Sequence, residues 1–182
     1  LPLAPSSRIA LLGENSASYL ALYFAIMRAG HVAVPLNHRL PAATLNFILA
    51  DAGISVVARD RSFAGRVPGA YASTTLDAPT DELLEQLSST SVERVGDSAS
   101  FAGLCKILYT SGSTGRPKGA ELSHRTLMHN PLQYGAATDM AEGEEVLATA
   151  FPFFHIAGLS VVLNALLHGS AVYLIPDPRD VK

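Results

Sequence analysis

The chain is poor in the features that usually announce a special class of protein. One cysteine, Cys105, in 182 residues excludes a disulfide scaffold and any Cys-rich zinc site. Positive charge is in deficit, with 13 Lys and Arg against 16 Asp and Glu for a net −3, so a basic nucleic-acid surface is excluded as the main feature. No long hydrophobic run is suited to a membrane. The best candidate, Phe151 to Gly169, contains Pro152, His155, Asn164 and His168 and reads as protein core. No N-terminal stretch combines a basic start, an apolar run and a cleavage site. The chain opens on Leu1 and its first methionine is Met27, so the expectation is that it starts inside a longer reading frame. These absences point to a soluble protein of a reducing compartment, with the cytoplasm as the expected location.

Apolar material is plentiful: hydrophobic residues make up 48%, enough for a core and against intrinsic disorder. At roughly 150 residues per domain, the length suggests one domain, or one plus a fragment. Arg8 to Leu12 reads as a strand buried on both faces. Asn15 is positioned to cap a following helix. That helix carries Leu20, Phe24 and Met27 on its apolar stripe, widened by Tyr23 and Ile26, and Gly30 stops it. His31 to Leu36 reads as a second strand. Pro41 suits the first turn of a second helix, with Leu45, Ile48, Leu49 and Ala52 on one face and Gly53 at its end. Ile54 to Ala58 reads as a third strand. This alternation predicts a layered α/β fold with mainly parallel sheets and helices on their faces.

Residues 60 to 100 read as a surface excursion, with an acidic helical piece around Asp81 to Leu87. Regular patterning resumes with a strand at Leu104 to Tyr109. A glycine-rich loop, a short piece at Ala120 to Leu122 and a helix capped by Ser123 follow. A strand at Glu145 to Ala150, a helix at Ile156 to Leu167 closed by Gly169 and a strand at Ala171 to Ile175 complete the pattern.

The loop Thr110 to Gly119, TSGSTGRPKG, concentrates the chemistry. It holds three glycines, four hydroxyl residues, one proline and two cations directly after an apolar strand. Glycines permit positive φ and close backbone approach, and successive N–H groups can turn inward as an anion nest. Thr110, Ser111, Ser113 and Thr114 add donors suited to phosphate oxygens, and Lys118 adds a compact charge. Hydrogen bonds to charged groups contribute about 1.5–3 kcal/mol each, so a handful suffices for a nucleotide. The loop is not a Walker A motif, because Gly119 stands where the hydroxyl after the lysine should be. It lacks the spacing of a nucleophile elbow, and no dinucleotide-binding GxGxxG occurs.

Tyr109 to Gly119, YTSGSTGRPKG, resembles the phosphate-loop signature of the acyl-adenylate-forming enzymes, with no departure from it. That family includes acyl-CoA synthetases, peptide-synthetase adenylation domains and luciferases. Met27 to Asn37, MRAGHVAVPLN, is similar to an upstream family motif, and Phe151 to Leu159, FPFFHIAGL, to a downstream one. The resemblance implies that MgATP joins a carboxylic acid to AMP with release of pyrophosphate, and that the acyl group then passes to coenzyme A. It implies β- and γ-phosphate contacts from Thr110, Ser111, Gly112, Ser113, Thr114, Gly115 and Lys118.

His155 sits among Phe151, Phe153, Phe154 and Ile156, where a histidine is usually a core or helix-end residue. The resemblance instead implies that His155 and Phe154 line the acyl pocket near the substrate carboxylate. Amino-acid-activating relatives carry an aspartate in this motif; its absence here implies an acid without an α-amine. Cys105, in an expected buried strand, reads as packing and not as a nucleophile. His124 and His129, five apart, do not share a helix face for a metal.

Complete family members carry later motifs for adenine, ribose and a lid lysine, and none is found here. The expectation is therefore that residues 1–182 are a fragment of the N-terminal AMP-binding domain of a fatty-acid–CoA ligase, catalytically inactive alone. A piece of an aryl-acid CoA ligase, and a non-catalytic nucleotide-binding domain, are the alternatives.

Overall fold

The computed structural model describes residues 3–76, 100, 102–112, 115–138, 143 and 145–175. The acidic stretch 81–87, Ser113, Thr114, Pro176 and Pro178 lie outside the described residues. Five strands alternate with helices into one sheet: β1 (Arg8–Leu12), α1 (Ala17–Arg28), β2 (Val32–Pro35), α2 (Ala42–Asp51), β3 (Val56–Arg59), β4 (Ala72–Thr75) and β5 (Leu104–Thr110). The sheet order is β4-β3-β1-β2-β5-β6, where β6 is Lys118–Ser123. All pairings are parallel except β5 with β6, which the glycine-rich loop joins as an antiparallel hairpin. Beyond it come α3 (His124–Thr138), β7 (Val146–Thr149), α4 (Ile156–Leu167) and β8 (Ala171–Leu174). β7 and β8 pair in parallel as a second, two-stranded sheet. The expected α/β architecture with mainly parallel sheets is present.

Side-chain alternation explains why β1 to β3 read as unbroken apolar runs. Ile9 and Leu11 of β1 pack on the α1 side with Tyr19, Tyr23, Ile26 and Met27. Ala10 and Leu12 pack on the α2 side with Leu45, Ile48 and Leu49. Both faces are covered, so polar alternation is absent. Strand β5 departs from this. A register shift between Leu104 and Lys106 forms a bulge, and both Cys105 and Lys106 turn towards α1. Lys106 is fully buried, with its Nζ 5.6 Å from the Tyr23 ring centre.

Several local expectations change. The cap of α1 is Ser16, whose hydroxyl accepts from Tyr19 N at 3.1 Å, and not Asn15. Tyr19, Tyr23, Ile26 and Met27 form the buried stripe of α1, while Leu20 and Phe24 are half-buried beside it. Pro41 precedes α2 as its cap residue and supplies no side-chain bond. The third strand begins at Val56 because Ile54 N is still bonded to Leu49 O of the α2 end. Residues 60–76 are not merely a surface excursion. They contain a 3-10 turn (Arg61–Arg66) and β4, whose four exposed residues Ala72–Thr75 carry no apolar signal. The Ser123 cap of α3 is present, its hydroxyl accepting from Thr126 N at 3.2 Å. Among the described residues, no helix is long and apolar enough to cross a membrane.

Candidate active site at the end of the parallel strands

In an open parallel sheet, ligands bind beyond the carboxyl ends of the strands. Here β5 runs out at Thr110 into the glycine-rich loop, and β6 returns from Lys118. Three glycines make this hairpin possible. Gly115 has φ +84°, a left-handed conformation, and its N–H donates to Gly112 O at 3.0 Å. A Cβ on Gly112 would lie 2.2 Å from Arg116 O. A Cβ on Gly119 would lie 2.9 Å from Ile107 Cγ2 and 3.1 Å from Tyr109 Cζ, so its absence lets the Tyr109 ring pack across the hairpin. Two contacts tie the hairpin to α2. The Tyr109 hydroxyl donates to Asp51 Oδ2 at 2.5 Å, and the Arg116 guanidinium lies 6.0 Å from the Phe47 ring centre. Burial, aided by the Asp51 hydrogen bond, raises the Tyr109 pKa and keeps the phenol protonated as a donor.

The opposite wall is the segment between β7 and α4. Phe153 is buried against Tyr19, with ring centres 5.8 Å apart. Phe154 is half-buried and meets His38 edge-on at 5.2 Å; His38 is itself stacked on Phe63. Of the two ordinary readings of a histidine in this run, core or helix end, the structure shows the second. His155 is exposed and caps α4, its Nδ1 accepting from Ala157 N at 3.2 Å. With Nδ1 accepting, the neutral ring carries its proton on Nε2, leaving Nε2–H as its donor. Two backbone features fix this turn. His155 N donates to Pro152 O, and Gly158 allows close packing, since a Cβ there would lie 2.5 Å from Pro152 O.

Both walls face one cavity of about 660 Å3. Thr110, Ser111, Gly112 and Gly115 line it on the loop side, Phe154 and His155 on the other. Its apolar floor comes from β2, the β2–α2 connection, α2 and β5: Pro35, Leu36, Leu40, Ile48 and Leu108. Lys118 is exposed at the foot of β6 and is not among the lining residues. The floor residues of α2 were not singled out by sequence, although the motif ending at Asn37 leads directly into the cavity. Cys105 is buried with its thiol pushed up to about 11, chiefly by desolvation, and its Sγ donates to Leu122 O; this fits packing and not nucleophilic chemistry. Among the described residues, no group of three His, Cys, Asp or Glu could hold a metal ion.

The chain is similar in sequence and fold to several known proteins. The chain is 40% identical over 171 residues to a feruloyl-CoA synthase of an Amycolatopsis species, covering 93% of this chain and 34% of that protein. It is 33% identical over 190 residues to the long-chain-fatty-acid–CoA ligase FadD13 of Mycobacterium tuberculosis, covering 97% of this chain and 36% of the relative. The solved structure of ATP-bound MatB from Rhodopseudomonas palustris superposes with a TM-score of 0.81 at 31% identity, over 96% of this chain and 36% of that one. The chain thus spans about a third of the length of these relatives. The family model described as AMP-binding enzyme matches residues 1–182, and the chain belongs to that family.

Proposed function

We propose that this chain forms the phosphate-gripping part of a ligase that uses ATP to activate a carboxylic acid lacking an α-amine, first as the acyl-adenylate and then as the CoA thioester. The observation that carries this reading is the shared cavity, where loop donors face His155 and Phe154 across an apolar floor. A carboxylate oxygen attacks the α-phosphorus, and the bond to the bridging oxygen of pyrophosphate breaks. The growing negative charge falls on the β- and γ-phosphates. Thr110, Ser111, Gly112, Ser113, Thr114 and Gly115 donate to those oxygens, and Lys118 supplies the cation at the loop exit. No protein nucleophile is needed. Magnesium would enter as MgATP and offset the charge of the phosphates.

The Nε2–H of His155 orients the carboxylate, and Phe154 walls the acyl chain. A fatty acid suits the apolar floor of Pro35, Leu36, Leu40, Ile48 and Leu108. An aryl acid is the second reading, favoured by the 40% identity to a feruloyl-CoA synthase. Residues 1–182 are in this proposal part of a larger N-terminal domain, incomplete for catalysis alone. The co-substrates, ATP and coenzyme A, put the activity in the cytoplasm.

Carboxylate-dependent ATP–pyrophosphate exchange by the full-length protein, across fatty, aryl and amino acids, tests the reading. Exchange with fatty or aryl acids, and none with amino acids, is expected. Removing Lys118 and the hydroxyls of Ser113 and Thr114 together is expected to cut exchange by about 100-fold or more. Undiminished ATP use by that variant overturns the assignment of the loop.

A further inference from the structure

We propose that Asn15 is the positioning residue that sets the acid-binding wall of the site. This rests on the ligase reading above. Asn15 follows β1 and leaves the capping of α1 to Ser16. Both ends of its amide are instead engaged more than a hundred residues along the chain. Nδ2 donates to Phe151 O at 2.9 Å, and Oδ1 accepts from Phe153 N at 2.8 Å. These two bonds bracket Pro152 and fix the turn that delivers Phe154 and His155 to the cavity.

The base from which Asn15 acts is itself held. Glu14 N, one residue earlier, donates to Asp60 Oδ2 at 2.7 Å, at the end of β3. Gly13 lies so close to that carboxylate that a Cβ would stand 3.0 Å from Asp60 Oδ1. The ends of β1 and β3 thus form one rigid platform, and Asn15 transmits its position to the 151–155 turn. The amide meets both demands at once, with a donor and an acceptor on one short side chain. Aspartate accepts but cannot donate, and alanine does neither. Glutamine has both groups, one methylene further out. A displacement of about 1 Å at a reacting group can cost about 100-fold in rate, so a two-point clamp on this turn bears on how the acid is held.

Two measurements on the full-length protein test the proposal. The first is amide hydrogen exchange, which needs no turnover. Asn15→Ala is expected to speed exchange in the 151–157 segment about tenfold or more, leaving the β5–β6 hairpin unchanged. The second is steady-state kinetics. In Asn15→Ala, kcat/KM for the acid is expected to fall about 10- to 100-fold while KM for ATP stays within about twofold, with Asn15→Asp intermediate. Ser16→Ala is the control for simple destabilisation, since it removes the neighbouring helix cap. It is expected to lower the melting temperature without separating the two KM values. Unchanged exchange at 151–157 in Asn15→Ala overturns the clamp. Faster exchange with acid and ATP parameters shifted equally overturns the positioning role. A wild-type protein that exchanges its amides as expected but activates no carboxylic acid sinks the ligase reading, and the positioning role with it, while the physical clamp stands.

Discussion

The two walls of the cavity are built in opposite ways. The 151–158 wall is preset: Asn15, Pro152 O, the close-packed Gly158 and the His155 cap fix it through many protein contacts. The loop wall is made mostly of backbone and short hydroxyl side chains. Its described internal ties are the Gly112–Gly115 turn and a long 3.5 Å contact from Thr110 Oγ1 to Lys118 O. The difference fits the two ligands proposed. An apolar acid tail is held by shape, which must exist before it arrives. A polyanion is held by donors, which must be left unspent for it. The loop is therefore the wall most easily ruined by one added carbon. Gly112→Ala forces a Cβ against Arg116 O, a backbone atom that cannot step aside without reshaping the hairpin. We expect kcat/KM for ATP to fall about 100-fold or more, with far-UV circular dichroism unchanged. A variant with full ATP activity would show that the loop's geometry is not what grips the nucleotide.

Strand β5 carries the loop wall, and its buried end holds a group that opposes folding. Lys106 Nζ has no hydrogen-bond partner among the described residues, and burial pulls its pKa down to about 8. The Tyr23 ring face, and the neighbouring Cys105, offset part of that cost. Below that pH the lysine is protonated in both the folded and the unfolded chain, and the folded state bears the cost of burying a charge. As pH rises from about 8 towards the normal lysine value, the unfolded chain binds more protons than the folded one, so this group's contribution to stability improves. Cys105 acts in the other direction above its usual pKa of 9.0, because burial keeps its proton on in the folded state. Comparing variants isolates the lysine from the thiol. Lys106→Met is expected to be more stable than wild type by about 1–4 kcal/mol in urea melts at pH 7. The gap should narrow by pH 9.5. A Met variant less stable than wild type at pH 7 would mean that the amine holds a structural partner.

Lys106 also marks where reading the sequence stops. Apolar runs on β1, β2 and β3 and glycine stops after α1 and α2 report local physics, so those elements were legible to within a residue or two. The glycine-rich loop stood out because its chemistry is contiguous. What was hidden depends on contacts between distant segments. Asn15 looks like any cap residue until Phe151 and Phe153 arrive more than 130 residues later. β4, with four exposed residues, is a strand only because β3 offers it an edge. The bulge at Leu104/Lys106 reverses which side chains of β5 face inward, and no alternation rule predicts a buried lysine there. The sequence put His155 among the candidates, but its dual use as helix cap and cavity wall needed coordinates.

The smallest expected effect concerns a polar tie, among the described residues, between the loop wall and the sheet's helical layer. The Tyr109–Asp51 bond joins the root of the hairpin to the last turn of α2, near the surface. Its phenol stays protonated well above the usual tyrosine range, so the tie persists through neutral and mildly alkaline pH. Tyr109→Phe keeps the ring packed over Gly119 and removes only the donor. Such a bond contributes about 1 kcal/mol, and its loss leaves the hairpin seated on ring packing and the Arg116–Phe47 contact. We expect a fall of about 0.5–1.5 kcal/mol in urea-melt stability, a rise of about two- to fivefold in KM for ATP, and no change in KM for the acid. If the acid parameter moves instead, α2 steadies the floor of the acid pocket through Ile48, and the two walls are not as independent as their construction indicates.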